Sequence, residues 1–137
     1  MSFLDRLFNR KAPVMAQPLN TDGMTLNEAQ FRFSRMFAAL LQFAFERGYE
    51  VTMGDGFRDP RLFGSMGVER GYGEANSAHK QRLAHDINLF KDGKYLDKTE
   101  DHQELGEQWE AMGGTWGGRF RTSGDGNHYS LKYKGVA

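Results

Sequence analysis

The sequence predicts a small single α+β domain in which a central, antiparallel-leaning sheet is flanked by helices. Three observations carry that expectation: an apolar stripe at helical spacing over 25–47, alternating segments at 83–90 and 128–133, and an Asp-Gly pair placed between two strand-like runs. At 137 residues without an internal repeat, the chain is long enough for one core and too short for two.

Residues 1–24 read as an N-terminal segment and connector, and 25–137 as the folded domain. Phe3, Leu4, Leu7 and Phe8 fall at helical spacing before Pro13, which makes a short amphipathic turn that either packs on its own domain or docks on a partner or membrane surface. Pro13, Pro18 and the lack of periodicity make 12–24 a connecting segment.

Thr25 and Glu28 have capping-box spacing, and Leu26, Ala29, Phe33, Met36, Phe37, Leu40, Leu41, Ala44 and Phe45 then recur on one broad face. Gly48 is placed to end this core helix, and 49–53 reads as a strand. The segment 54–76 carries six glycines and no period, so it reads as a long functional loop, with 64–73 expected to rim a cleft. An alternating strand follows over 83–90, with Asp92-Gly93 turning the chain into a partner strand at Tyr95 and Leu96. A helix over 101–112, closed by Gly113 and Gly114, and a last strand over 128–133 complete the domain.

Eighteen basic residues balance eighteen acidic ones, so no broad basic footprint suggests a nucleic-acid partner. The absence of cysteine excludes disulfides and thiolate metal sites, leaving His, Asp and Glu as candidate ligands. Charged residues interrupt the first eleven positions, so no secretory signal is expected there. The longest apolar run, 36–45, is too short to span a bilayer.

The four histidines differ in context. His79 ends the polar loop, Asp86 lies within the strand, and His128 opens the last strand, so two imidazoles and a carboxylate on separate elements can converge on one cation and leave a position for water. From spacing alone, hydrogen-bonded structural histidines remain an open alternative. Strand alternation puts His85 on the face opposite Asp86. His102, among Glu100, Asp101 and Glu104, is expected on a solvated helix face.

The run from Ser77 through His79 to Asp86 resembles the Ser-x-His-(six residues)-Asp signature of the zinc D-alanyl-D-alanine metallopeptidases. Asp125-Gly126-Asn127-His128 is similar to that family's second motif, and Gly56-Phe57-Arg58 to its upstream Gly-aromatic-Arg element. The resemblance implies Zn2+ held by His79, Asp86 and His128, with Asp125 as general base. Arg58 suits stabilisation of the oxyanion or binding of a substrate carboxylate, with a loop salt bridge as its alternative; Ser77 can bind substrate or cap the loop, and Trp116 can wall the cleft, although filling the core is the more common use of such a residue. Aspartate where many members carry glutamate sides with phage endolysins that cut L-alanyl-D-glutamate bonds. Peptidoglycan stem peptide is then the partner of a monomeric enzyme made in the cytoplasm, which reaches the wall through a holin-type pore. A D-alanyl-D-alanine carboxypeptidase and a non-catalytic zinc-stabilised wall-binding or virion module are the competing readings. Arg82, where members often have glycine, and Arg119, where an acidic residue is common after Trp-Gly-Gly, depart from the pattern.

Overall fold

The computed structural model describes residues 18–121 and 124–137, so the amphipathic turn expected before Pro13 lies outside the described residues. Helix α1 spans Leu26–Glu46, and its capping box forms as expected. The Thr25 hydroxyl accepts from the Glu28 amide at 3.1 Å, and the Glu28 carboxylate accepts from the Thr25 amide at 3.2 Å. Ala29, Phe33, Met36, Leu40 and Ala44 on its inner face are buried, and Gly48 at φ 87° ends the helix.

Strand β1 (Glu50–Met53) leads to a single helical turn, α2 (Pro60–Phe63), then to a 3₁₀ turn over Ala78–Gln81. Strand β2 (Ala84–Lys91) is the centre of the sheet, and the Asp92-Gly93 turn, both residues at positive φ, returns the chain as β3 (Lys94–Leu96). A 3₁₀ turn (Thr99–His102) runs into α3 (Gln103–Ala111), followed by β4 (Thr115–Trp116), a 3₁₀ turn (Gly117–Arg119) and β5 (His128–Ser130). The sheet order is β1-β2-β5-β4 with β3 added to β2, and every pairing is antiparallel. The sequence reading missed β4, α2 and the 3₁₀ turns, all too short to show a period. It also ran the last strand to 133, whereas β5 ends at Ser130.

The core fills the space between α1, α3 and the sheet. Trp109 is its largest buried side chain, meets Phe33 edge-on at 5.7 Å, and donates its indole N–H to the Ser130 carbonyl at 2.8 Å. Part of the expected connector is docked on this body: the Leu19 amide bonds the Gly113 carbonyl and the buried Thr21 hydroxyl bonds the Lys132 carbonyl, each at 2.7 Å.

Candidate metal centre and active site

Two local devices bring His79 into the core. The Ser77 hydroxyl accepts from the His79 amide at 3.2 Å and starts the 3₁₀ turn, and Arg82 ends it in the left-handed region at φ 58°. A residue in that conformation explains why glycine is common there in the family. The Arg82 guanidinium lies 3.7 Å from the centre of the Phe57 ring. Asp86 is set by β2, where its amide donates to the Asp55 carbonyl at 2.8 Å and its carbonyl accepts from Gly54 at 2.9 Å. His128 stands directly across from Asp86 in the β2–β5 register, so both side chains project from one face of the sheet. His85 points the other way, as alternation requires, and stacks on Phe37 of α1 at 4.8 Å.

The three side chains converge. His79 Nε2 lies 3.2 Å from His128 Nδ1, and Asp86 Oδ1 lies 3.3 Å from each of those nitrogens. Donor atoms held about 2.0–2.1 Å from a tetrahedral zinc stand about 3.3–3.4 Å from one another. Asp86 Oδ1 is buried with no hydrogen bond, although two imidazole nitrogens face it. A buried carboxylate oxygen without a hydrogen bond is costly, and a shared cation at the common centre removes the cost. The donor set therefore fits a zinc-type ion, with His79, Asp86 and His128 to hold it. Burial alone would raise the Asp86 pKa, but the His128 and His79 rings outweigh it and hold the carboxyl well below the usual range.

The outer contacts orient these donors. His79 Nδ1 donates to the Gly56 carbonyl at 2.8 Å, which leaves the Nε2 lone pair aimed at the centre. Gly56 itself lies against the back of His85, where a Cβ would stand 2.9 Å from the ring Nε2, so only glycine lets its carbonyl approach. A cavity of about 240 Å³ opens over the centre, with Arg58, Ser77, His79, Asp125 and His128 in its wall. Arg58 is braced by Asp55 at 3.3 Å and the Ser77 hydroxyl at 3.4 Å, and its guanidinium lies 5.2 Å from the Tyr72 ring centre.

Asp125 occupies the turn before His128. Its amide donates to the Gly117 carbonyl and its carbonyl accepts from the His128 amide, which ties the carboxylate's position to the ligand strand. Loss of water in the cavity mouth raises the Asp125 pKa, the Asp86 charge adds to the rise, and His128, His79 and Arg58 oppose it.

Two expectations are corrected. Trp116 does not wall the cavity: it is 3 % exposed, and its indole N–H donates to the Gly126 carbonyl at 2.7 Å, beneath the turn that carries Asp125. His102 is not solvated: it is 3 % exposed, with Nδ1 at 2.9 Å from the Tyr129 hydroxyl. The missed signal is helical spacing, since His102, Leu105, Gly106 and Trp109 are all buried on one face while the acidic neighbours point out. Arg119 is drawn away from the centre by a two-pronged pairing with Glu110 of α3 at 3.0 and 3.1 Å.

A family model described as D-alanyl-D-alanine carboxypeptidase matches residues 70–131, the span that holds Ser77, His79, Asp86, Asp125 and His128. Over that span, a little under half of its length, the chain resembles this peptidase family. Among solved structures, the crystal structure of the Serratia marcescens L-Ala D-Glu endopeptidase ChiX is similar, with a TM-score of 0.51 at 15 % identity over 84 % of this chain and 97 % of that one. At that identity the likeness is one of fold, a small antiparallel sheet flanked by helices. No curated protein sequence matches the chain. The buried group of His79, Asp86 and His128 is where this chain could bind a metal ion. Among the described residues, no helix is long and apolar enough to cross a membrane.

Proposed function

We propose that this chain is a zinc-dependent peptidoglycan peptidase that cuts the L-alanyl-D-glutamate bond of stem peptides, as a phage or prophage endolysin does. The observation that carries the reading is the trio of donor atoms at 3.2–3.3 Å beside a cavity that also presents Asp125 and Arg58. Zinc held by His79, Asp86 and His128 would supply a Lewis acid for the scissile carbonyl and a water acidic enough to ionise near neutral pH.

The chain's own groups do the remaining work. Asp125, in the wall of the cavity beside His79 and His128, takes the proton from the attacking water and returns it to the departing nitrogen. Arg58, held by Asp55 and Ser77, directs its guanidinium at the oxygen that gains charge, or at a substrate carboxylate. The Gly56 carbonyl keeps the His79 proton on Nδ1, away from the centre. Gly73 and Glu74, at the end of the glycine-rich loop, form the rim against which the peptide lies.

Aspartate at 125 is the feature behind the endopeptidase and endolysin assignment, and release through a holin-type pore is part of that proposal. Removal of a terminal D-alanine is the second reading, favoured by the description of the matched family. Digestion of purified peptidoglycan with and without a chelator, followed by mass spectrometry of the new termini, separates them. Free amino groups on D-glutamate, formed only without chelator, are expected. Release of D-alanine would favour the carboxypeptidase, and wall binding with no soluble peptide would overturn both.

A further inference from the structure

Lys80, next to the ligand His79, is 7 % exposed, an unusual setting for an ammonium group. Its Nζ donates to three backbone carbonyls, those of Val68 at 2.7 Å, Ala75 at 3.0 Å and Ser65 at 3.3 Å. A lysine ammonium has three N–H donors, so its capacity is used in full. All three acceptors belong to one loop, and they lie on both of its legs.

Beyond Lys80 the loop is held by surface contacts: Tyr72 meets the Phe63 ring edge-on at 5.0 Å and its hydroxyl bonds the Asp55 carboxylate, and Arg70 donates to the Arg61 carbonyl at 3.3 Å. From 65 to 76 no residue is buried, and Met66, Val68 and Tyr72 are exposed. The Gly67 amide bonds the Ala75 carbonyl at 3.0 Å and the Val68 amide bonds the Ser65 carbonyl at 2.9 Å, so two of the acceptors that Lys80 uses also close the loop on itself. The far end then reaches the substrate side of the site. Tyr72 covers the Arg58 guanidinium, and Gly73 lies so close to it that a Cβ there would stand 2.5 Å from Nη1.

From this arrangement we propose that Lys80 is a positioning residue for substrate binding: its buried ammonium shapes the 65–76 loop, which places Tyr72 and Gly73 against Arg58 and forms the cavity rim. One short 3₁₀ turn thereby couples the two halves of the site, with His79 facing the metal centre and Lys80 facing the loop. The proposal rests on the peptidase reading for its kinetic consequence, while the loop-shaping step stands on geometry alone.

The test is Lys80→Met, which keeps the length of the stem and removes the charge, with Lys80→Gln in its place if the Met variant does not fold. Hydrogen exchange at the Gly67 and Val68 amides, zinc content, and KM and kcat on a soluble stem peptide are measured beside wild type. Exchange faster by about tenfold or more, with KM raised by about tenfold and kcat and zinc nearly unchanged, is expected for loss of charge-assisted hydrogen bonds. Lys80→Arg, which keeps charge and donors, should recover part of the KM. Unchanged exchange overturns the proposal, as does faster exchange with unchanged KM. Wild-type protein that cleaves no stem peptide would count against the peptidase reading, and the exchange result would still decide whether Lys80 shapes the loop.

Discussion

The two sides of the cavity are built by different physics. On one side, Asp86 and His128 hang from strands paired on both flanks and His79 from a buried 3₁₀ turn, with Leu83, Ile87, Tyr129 and Leu131 fully buried around them. On the other, the loop over 65–76 buries no residue and is held by the Lys80 hydrogen bonds and by Tyr72, which lies against Arg58 and Phe63 at the surface. Apolar burial is insensitive to small shifts of a partner, whereas hydrogen bonds fail steeply with angle and distance. The ligand side should therefore hold its geometry without substrate, and the loop side should be the part that mutation can reshape without unfolding the domain.

The strongest way to break this comparison is at the ligands. In the double variant His79→Ala, Asp86→Ala, two of three donors are gone, so zinc content should fall to background with activity, as read by metal analysis of purified protein. Retained zinc would move the site elsewhere. Asp125→Ala is a milder test on the same side, since the carboxylate lies outside the donor trio. It should keep its zinc and its fold while losing about 10²–10⁴-fold in rate. Loss of metal with activity would make Asp125 a ligand and not the base.

Stability tests probe the frame behind the ligands. Burial lowers the His102 pKa, with Asp101 opposing, so the unfolded chain takes up a proton at a pH where the folded chain does not. Stability is then fullest above the unfolded value of about 6.5 and falls as pH drops below it, by at most about 1.4 kcal/mol per pH unit from this group. His102→Asn keeps a polar atom near the Nδ1 position and should flatten that part of the profile in denaturant titrations between pH 7.5 and 5.5. An identical slope in both proteins would exclude His102 as the source. The smallest effect is expected at Arg82→Gly. Relief of the left-handed conformation is worth about 1–2 kcal/mol, against about 0.5–1 kcal/mol for the lost contact with Phe57, so a small gain in stability should appear in chemical denaturation. A clear loss would mean that the guanidinium does more for Phe57 than the backbone costs.

Much of the frame was readable because it repeats. The capping box at Thr25, the stripe of α1, the alternation of β2 and the Asp92-Gly93 turn are all local patterns with a fixed period or a fixed pair. The ligand candidates were readable as two histidines and an aspartate on separate elements, with structural histidines as the open alternative, and Asp125 as a base was what the resemblance of the Asp125-Gly126-Asn127-His128 run implied. By itself, then, the sequence determined the α+β class, the main helix and central strands, and which side chains could serve as ligands and base.

Only the tertiary structure decided how those parts meet. The pairing of Asp86 with His128 comes from the register of β2 against β5, between residues forty-two positions apart, and no local pattern encodes it. Tertiary packing also turned Trp116 and His102 inward, because Gly126 offered one an acceptor and Tyr129 gave the other a buried partner. Lys80 is the plainest case. Lysine is ordinarily a surface residue, and its ammonium becomes an interior one here because three carbonyls of the preceding loop close around it, an arrangement that exists only once that loop has folded back.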